Sequence, residues 1–221
     1  AIIPPDLVSC DDDFDGVFTF NLGANSNTIL GTQPPSTFSV SYYKSLTDAE
    51  VKSNALSMNH PAENGDTIYA RLENNDTGCF DTTQFNVTIH PLPVIPINDV
   101  VSLCLDDSPL IIDVYTGDPD DTYLWSTNVN TGVNNSTSRS IEIGPTEIGE
   151  YSVTVRTINN CSFTKIFSVI ESEQAEISFT SSVDFKDPNS ITVDLDLSRK
   201  GNYVYILDGG NPQTSNVFEN V

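Results

Sequence analysis

Four cysteines, arranged as two similar pairs, constrain the fold of this chain more than any other feature. Cys10 and Cys104 each follow a short apolar run, in DLVSC and NDVVSLC, and acidic residues follow directly after Cys10 and one residue later after Cys104. Cys79 and Cys161 end the segments YARLENNDTGC and VTVRTINNC, and a phenylalanine stands six residues beyond each of them. The pattern indicates a repeated module with one cysteine before its first core strand and a second in the turn of its last hairpin.

The repeat predicts two disulfides, Cys10–Cys79 and Cys104–Cys161, each within its own module. No CxxC pair is present and neither histidine lies near a cysteine in sequence, so a zinc site is poorly supported. Disulfides instead indicate an oxidising compartment. Closing loops this long is expected to stabilise each module by about 4 kcal/mol.

The strand signals predict an all-β fold of tandem immunoglobulin-like antiparallel β-sandwiches. Segments rich in β-branched and aromatic residues alternate in polarity and are separated by turn residues. One segment, residues 47–56, reads as a helix with Thr47 and Glu50 spaced as a capping box. The predicted strands cover residues 17–22, 37–43, 66–72 and 84–90 of the first module, and 110–114, 123–126, 140–143, 149–157 and 164–169 of the second.

These patterns divide the chain into three parts. Residues 1–92 form a first sandwich, residues 93–172 a second, and residues 173–221 the start of a third, incomplete β domain. The segment HPLPVIPIN, residues 90–98, holds three prolines and predicts a stiff spacer between the first two modules. The chain starts and stops in mid-pattern, without a signal peptide or a transmembrane run, and we interpret it as a piece of a longer protein.

The net charge of −22 limits the partners that such a chain can bind. A field of this sign repels phosphate backbones and anionic membranes, so nucleic-acid binding and direct membrane insertion are not expected. It suits either solubility at high protein density or the binding of divalent cations.

The run Asp11-Asp12-Asp13-Phe14-Asp15-Gly16 is the strongest chemical signal. Asp11, Asp13 and Asp15 have the spacing of a calcium loop, because calcium prefers several carboxylate and carbonyl oxygens around one ion. The loop lacks the glutamate expected at its twelfth position, and a strand follows it. A calcium ion would therefore need further ligands, such as Asp48, Glu50 or the carbonyl of Val17. The alternative is a solvated acidic turn, and this reading is preferred for the weaker acidic set Asp106, Asp107, Asp118, Asp120 and Asp121.

No catalytic pattern is recognisable. The sequence lacks a glycine-rich phosphate loop, a GxSxG elbow and an HExxH motif. His60 and His90 both precede proline and are interpreted as turn residues. Six aromatic residues could form a sugar-stacking face, although alternate aromatics in a sandwich usually belong to the core: Tyr42, Tyr43, Tyr69, Trp125, Tyr203 and Tyr205.

The segments CDDDFDGVFTFNL, SVSYYKSLTDAE and DTIYARLENNDTGCF resemble a repeat of large surface proteins of gliding Bacteroidetes, which the type IX secretion system exports. YLWSTN, GEYSVTV, AEISF and NYVYILDGGNPQTSNVFENV are similar to the region before the gliding-motility-associated C-terminal sorting domain of those proteins. The resemblance implies an extracellular adhesin or filament, anchored to the cell or released. It also implies O-glycosylation at Thr67 and Thr82, within the tripeptides DTI and DTT.

Two functions from different classes are therefore expected. The first is a non-catalytic structural or adhesive module at the cell surface, whose partners are other modules of the same long chain, secretion or anchoring machinery, or surface glycans. The second is a carbohydrate-binding accessory region of a secreted polysaccharide-degrading enzyme. An enzyme in its own right is disfavoured.

Overall fold

The chain divides into two compact units. The first comprises Ala1–Pro93 together with Arg156–Ser162, and the second comprises Val94–Val155 and Phe163–Val221. This computed structural model describes residues 1–105, 109–182, 190–196 and 198–219. The predicted boundaries at residues 92 and 172 stay predictions.

The first unit contains a six-stranded sandwich. One sheet has the order β1-β6-β5-β3, and β2 pairs with β4 in the other. Strand β1 runs parallel to β6, whereas the remaining pairs are antiparallel. Buried residues from both sheets form one core that includes Phe20, Ala62, Ile68 and Phe85. The strands are β1 (Leu7–Cys10), β2 (Val17–Asn21), β3 (Phe38–Tyr43), β4 (Asn59–Glu63), β5 (Thr67–Asn74) and β6 (Phe80–His90).

Two short helices lie in the connections of this sandwich. Helix α1 (Ser26–Leu30) follows a 3-10 turn, Leu22–Asn25, and helix α2 (Leu46–Val51) follows β3. The Ser45 hydroxyl caps α2 by accepting the Asp48 N–H, and the helix ends at Lys52, whose φ is 57°. The predicted capping box at Thr47 and Glu50 is therefore wrong, because Ser45 and Asp48 have the same spacing and begin the helix earlier.

The second unit repeats the same topology. Its larger sheet has the order β7-β12-β11-β9, and β8 pairs with β10. Strand β7 is parallel to β12, as β1 is to β6. The strands are β7 (Val100–Cys104), β8 (Leu110–Asp113), β9 (Thr122–Thr127), β10 (Ser140–Ile143), β11 (Gly149–Arg156) and β12 (Ser162–Ser172).

An aromatic cluster fills the core of the second sandwich. Trp125 is fully buried, and its indole N–H donates to the Ser138 carbonyl at 2.8 Å. The Phe167 ring lies edge-on to Trp125 and stacks on Tyr151. The Tyr151 hydroxyl donates to the Glu147 carbonyl four residues upstream, at 2.5 Å. A tryptophan on the third strand and a tyrosine bonded back to the chain at the start of the penultimate strand are hallmarks of immunoglobulin-like sandwiches.

A separate three-stranded sheet follows the second sandwich. Its order is β13-β14-β15, with β13 (Ile177–Ser182), β14 (Ser190–Leu195) and β15 (Val217–Glu219) all antiparallel. Tyr205 and Gln213 form an isolated bridge. A β-rich segment was expected after residue 173, and these strands agree with it, but residues 202–207, which also read as a strand, contribute only the Tyr205 bridge.

The prediction of tandem immunoglobulin-like β-sandwiches is confirmed. The alternating segments become strands within a few residues of the expected bounds, but three strands were missed. β1 and β7 are the short apolar runs that end in Cys10 and Cys104, and β4 contains Pro61. His60 lies in β4 and His90 ends β6, so the assignment of both histidines to turns is wrong.

The predicted disulfide pairing is also wrong. Cys10 is bonded to Cys161, with a Cα–Cα distance of 5.5 Å, and Cys79 and Cys104 are free. The parallel register explains why: Cys10 lies opposite His90, at the far end of β6, whereas Cys79 directly precedes the start of this 11-residue strand. A strand of that length separates the two by more than about 30 Å, and a disulfide requires Cα atoms about 4.4–6.8 Å apart.

The same argument excludes a bond between Cys104 and Cys161. Cys104 lies opposite Ser172, the last residue of β12, and Cys161 precedes the first. Each sandwich therefore carries its two cysteines at opposite ends of its last strand.

Part of the proline-rich segment is buried. Leu92 and Pro93 are buried, and Ile95 belongs to the core of the second unit. The stiff spacer stays a prediction.

Candidate functional site

The two hairpin turns that carry Cys79 and Cys161 share several features. The residue before each cysteine has a left-handed backbone, with φ of 71° at Gly78 and 64° at Asn160. Glycine and asparagine tolerate this conformation better than other residues. Each cysteine carbonyl accepts a hydrogen bond of 2.9 Å across its turn, from Asn74 at the end of β5 and from Thr157 directly after β11, so the first turn is one residue longer.

A threonine hydroxyl completes both turns. The Cys79 N–H donates to Thr77 Oγ1 and the Cys161 N–H donates to Thr157 Oγ1, each at 3.3 Å. Thr77 stands two residues before its cysteine and Thr157 four, but Cys79 and Cys161 occupy corresponding positions, each directly before the 11-residue last strand of its sandwich. Cys10 and Cys104 are equivalent as well, since each is the last residue of a first strand that runs parallel to the last.

The Cys10–Cys161 bond is packed against the end of the first sandwich. Cys161 is 1% exposed, and its Sγ lies 3.9 Å from the carbonyl oxygens of His90 and Asn159. The Asp11 N–H donates to the His90 carbonyl at 2.9 Å, which continues the β1–β6 pairing past the cysteine. The bond thus closes the end of the sheet at which the acidic turn begins.

The acidic turn brings Asp11, Asp13 and Asp15 together. One carboxylate oxygen of each lies within 4.8 Å of the others, and in the described part of the chain no fourth acidic, histidine or cysteine side chain joins this group. Gly16, at φ 77°, turns the backbone towards β2. The sequence spacing therefore predicted the cluster.

Backbone amides already surround these carboxylates. Asp11 Oδ1 accepts the N–H groups of Asp13 and Phe14, at 3.3 and 3.2 Å, and its Oδ2 accepts that of Gly16 at 3.1 Å. The Asp15 N–H donates to Asp13 Oδ1 at 3.1 Å, and the Val17 N–H to Asp15 Oδ1 at 2.7 Å.

The environment moves the pKa values of Asp11 and Asp13 in opposite directions. Desolvation raises the pKa of Asp11, but the N–H groups of Asp13, Gly16, Asp12 and Phe14 together outweigh it and hold that pKa below its usual value. The Asp15 N–H lowers the pKa of Asp13, yet desolvation and the neighbouring charge of Asp15 raise it overall. The turn is stable through its own amides, and calcium binding stays a prediction.

Of the other predicted calcium ligands, Val17 adjoins the acidic turn and Asp48 is engaged with other partners. Val17 is the first residue of β2 and pairs with Glu63. Asp48 has its own partners: Ser53 Oγ and Asn54 Nδ2 donate to its Oδ1 at 2.9 and 2.8 Å, and Ser45 Oγ donates to Oδ2 at 2.6 Å. These bonds lower the pKa of Asp48 and give it a capping role.

The second acidic set does not form a comparable group in the described residues. Asp118 Oδ1 accepts the Asp120 N–H at 2.9 Å, which closes a tight turn. Asp121 is 8% exposed, and its Oδ2 accepts the Thr116 hydroxyl. Asp106 and Asp107 lie outside the described residues.

The two threonines of the predicted glycosylation motifs occupy different positions. Thr67 begins β5, and its hydroxyl donates to Asn86 Oδ1 at 2.9 Å. Thr82 lies inside β6 opposite Arg71, and not at a junction between strand and loop. Both are half-buried.

Half of the proposed sugar-stacking residues are buried and cannot contact a sugar. Tyr42, Tyr43 and Trp125 are at most 1% exposed and belong to the interior. Tyr69 is half-buried and lines an open groove with Thr82, Gln84 and Asn86. Tyr203 and Tyr205 are half-buried and line a second, apolar groove in the C-terminal segment.

A buried ionic network in the first sandwich was not expected from the sequence. Arg71 is 5% exposed; its Nε donates to Glu73 at 2.6 Å, and its Nη1 to the carbonyls of Ala49 and Glu50 at 2.9 Å. Its guanidinium lies 3.4 Å from the Phe80 ring centre. Lys52 and Arg71 lower the pKa of Glu73. The arginine within the apolar stretch of strand β5 could have indicated this network, because a buried charge requires partners.

None of the helices in the described ranges has the length and hydropathy that crossing a membrane requires.

Comparisons with known proteins give one family match, which covers the first sandwich. Residues 6–93 match the family described as the Flavobacterium inter-domain disulphide bond domain. No curated protein matches the chain. Three solved structures are similar at low identity. The titin fragment I67–I69 is 10% identical, over 99% of this chain and 85% of that chain, with a TM-score of 0.33. The Ig1-2 module of the Drosophila receptor tyrosine phosphatase DLAR is 11% identical, over 76% of this chain and 95% of that chain, with a TM-score of 0.27, and the N-terminal domains of the Hoc capsid protein of bacteriophage RB49 are 12% identical, over 83% and 70%, with a TM-score of 0.31. The first sandwich is thus similar to a family named for a disulfide between domains.

Proposed function

We propose that the chain is a non-catalytic structural or adhesive module of an exported bacterial cell-surface protein. The observation that carries this proposal is the Cys10–Cys161 bond, which joins the first strand of one repeat to the hairpin turn of the next. The similarity of residues 6–93 to a family named for an inter-domain disulphide bond supports it independently.

The bond also supports an extracellular location. Disulfides persist in oxidising compartments and are rare in the bacterial cytoplasm. The charge of −22 keeps a protein soluble when many copies are held close together, as at a cell surface. From the sequence resemblance we further propose that the protein is exported by the type IX route and attached to anchoring machinery. A role in gliding is part of the same proposal.

A carbohydrate-binding accessory region is the second candidate. One observation favours it: Tyr69 lines an open groove together with the polar side chains Gln84 and Asn86. Sugar-binding sites combine an aromatic face with side-chain amides, but three of the six aromatic candidates are buried. We therefore rank this function below the structural one.

The structural function can be tested in the organism that produces the protein. Intact cells are treated with N-ethylmaleimide to block thiols, and a non-penetrating protease is then added outside the cells. We expect the protease to release peptides of this chain, and the Cys10 and Cys161 peptides to be recovered linked without reduction. Peptides released only after lysis, or thiol-blocked Cys10 and Cys161, would contradict the proposal.

A further inference from the structure

The molecule contains one disulfide, and it also contains two free cysteines at the positions that correspond to the bonded ones. The disulfide joins a first-strand cysteine, Cys10, to a hairpin-turn cysteine, Cys161. Cys104 is the first-strand cysteine of the second sandwich, and Cys79 is the hairpin-turn cysteine of the first. Both are free thiols: Cys79 is exposed and Cys104 is partly exposed.

The equivalence of these positions rests on backbone geometry. Cys79 and Cys161 share the left-handed residue before them, the closing hydrogen bond of 2.9 Å and the threonine hydroxyl that accepts the cysteine N–H. Cys10 and Cys104 each end a strand that is parallel to the last strand of its sandwich. A position that is bonded in one repeat therefore has a corresponding, unbonded position in the other.

We propose that Cys104 and Cys79 are cross-linking sites for further sandwiches of this type. Cys104 bonds to the hairpin-turn cysteine of one sandwich, and Cys79 bonds to the first-strand cysteine of another. A second copy of this chain offers both partners, because each copy carries one site of each kind. This inference rests on the proposed structural function and names the partner that it requires.

Strand register and burial indicate which cysteines can form a disulfide with each other. Within one sandwich the two cysteines stand at opposite ends of an 11-residue strand, so they are too far apart to form a disulfide with each other. The bonded turn cysteine, Cys161, is 1% exposed, whereas Cys79 is exposed. We expect Cys79 to become buried when it is bonded, as its counterpart is.

The reaction is a thiol–disulfide exchange with a low-molecular-weight disulfide as the oxidant. The Cys104 thiolate attacks one sulfur of that disulfide, forms a mixed disulfide and releases one small thiolate. The Cys79 thiolate of the second copy then attacks the cysteine sulfur of the mixed disulfide and releases the second small thiolate. The two cysteines lose two protons and two electrons, and the oxidant is reduced to two thiols.

Two single variants test the proposal with a built-in control. Cys79→Ser keeps only the first-strand site and Cys104→Ser keeps only the turn site; the Cys10–Cys161 bond remains in both. The variants are distinguished by mass, mixed in equal amounts and incubated with oxidised and reduced glutathione. The products are separated without reduction, and the linked peptides are identified by mass spectrometry.

We expect the mixture to form the heterodimer through Cys104 and Cys79 at a ratio of about 10:1 over the two homodimers together, against 1:1 for random pairing, a preference of about 1.4 kcal/mol. Either variant alone should stay largely monomeric, and the unsubstituted chain should form longer oligomers through the same peptide link. A binomial mixture of dimers, dominant symmetric dimers, or no cross-link at all would overturn the inference. Each of these outcomes leaves the surface-exposure test of the proposed function unaffected, so the two can fail separately.

Discussion

The two sandwiches share one strand order but fill their interiors differently. In both, the first strand is parallel to the last, and the second pairs with the fourth across the core. The second encloses an aromatic cluster of Trp125, Tyr151 and Phe167. The first has no tryptophan, and places two short helices and the buried Arg71–Glu73 pair beside its main sheet.

The difference shows that strand pattern and core chemistry are separable. Alternating apolar residues are sufficient to bury one face of each sheet, because successive side chains point to opposite faces. Which groups then complete the interior depends on the connections. In the first sandwich the short helix α2 leaves the carbonyls of Ala49 and Glu50 without helical partners, and Arg71 satisfies them.

The largest expected effect comes from removing the bond that joins the repeats. Cys10→Ser combined with Cys161→Ser opens a loop with a sequence separation of 151, which costs about 5 kcal/mol of unfolding free energy by loop-closure entropy. The matched control, Cys79→Ser with Cys104→Ser, should change the free energy by less than about 0.5 kcal/mol. Urea unfolding followed by circular dichroism measures both. Equal effects of the two double variants would show that the bonded and free pairs do not differ.

The second prediction concerns the aromatic core. Trp125→Ala should destabilise the second sandwich by about 4 kcal/mol, because it leaves a large cavity beside Phe167 and an unpaired Ser138 carbonyl. Leu124→Ala, the outward-facing neighbour on β9, should cost less than about 1 kcal/mol since it is 49% exposed. Amide hydrogen exchange over residues 109–155 is the measurement. A similar loss of protection in both variants would contradict the central role of the tryptophan.

The third prediction compares a buried arginine with an exposed one. Arg71→Ala should cost about 3 kcal/mol, because Glu73 and two helix carbonyls lose their buried partner. Arg139→Ala should cost less than about 1 kcal/mol, because its pair with Asp113 is about half exposed on both sides. Thermal unfolding of the two variants checks the difference. Similar melting temperatures would mean that the first sandwich does not depend on its ionic network.

The smallest expected effect is a pH dependence at the acidic turn. The pKa of Asp11 is lower in the folded chain than in the unfolded one, so its stabilising contribution is present above the unfolded value of about 3.9 and is lost as the pH falls through the folded pKa. Asp11→Asn should therefore flatten the dependence of unfolding free energy on pH below about pH 4. If the unfolding free energy of the variant depends on pH as steeply as that of the original chain, the backbone hydrogen bonds to Asp11 do not stabilise the fold.

Calcium offers a further check on the same turn. If Asp11, Asp13 and Asp15 hold the ion, calcium should raise the melting temperature of the original chain, and Asp13→Asn should reduce that shift. Asp118→Asn in the second sandwich serves as the control. An absence of any shift at millimolar calcium would support the solvated turn.

The sequence was informative about strands and about the acidic cluster because both are local. Alternation predicted most of the strands, and the 1-3-5 spacing brought Asp11, Asp13 and Asp15 together. The cysteine pairing was wrong because it depends on register over a long distance. Recognition of LVSC and VVSLC as strands parallel to the last one would have placed Cys10 and Cys79 at opposite ends of β6. The Arg71 network depends on the length of α2, which no periodicity encodes.

The Cys10–Cys161 bond also defines how the chain would carry tension. A pulling force applied to residues before β1 and after β12 passes from Cys10 through the two sulfur atoms to Cys161, and the covalent loop between them bears none of it. Strands β2 to β11 lie within that loop and are thus shielded from unfolding by force. About 500 Å of extended polypeptide would stay stored until the bond is reduced. Between Cys10 and Cys161 the chain would resist extension with a covalent bond, and only β1 and β12, which lie outside the loop, would bear force on their hydrogen bonds.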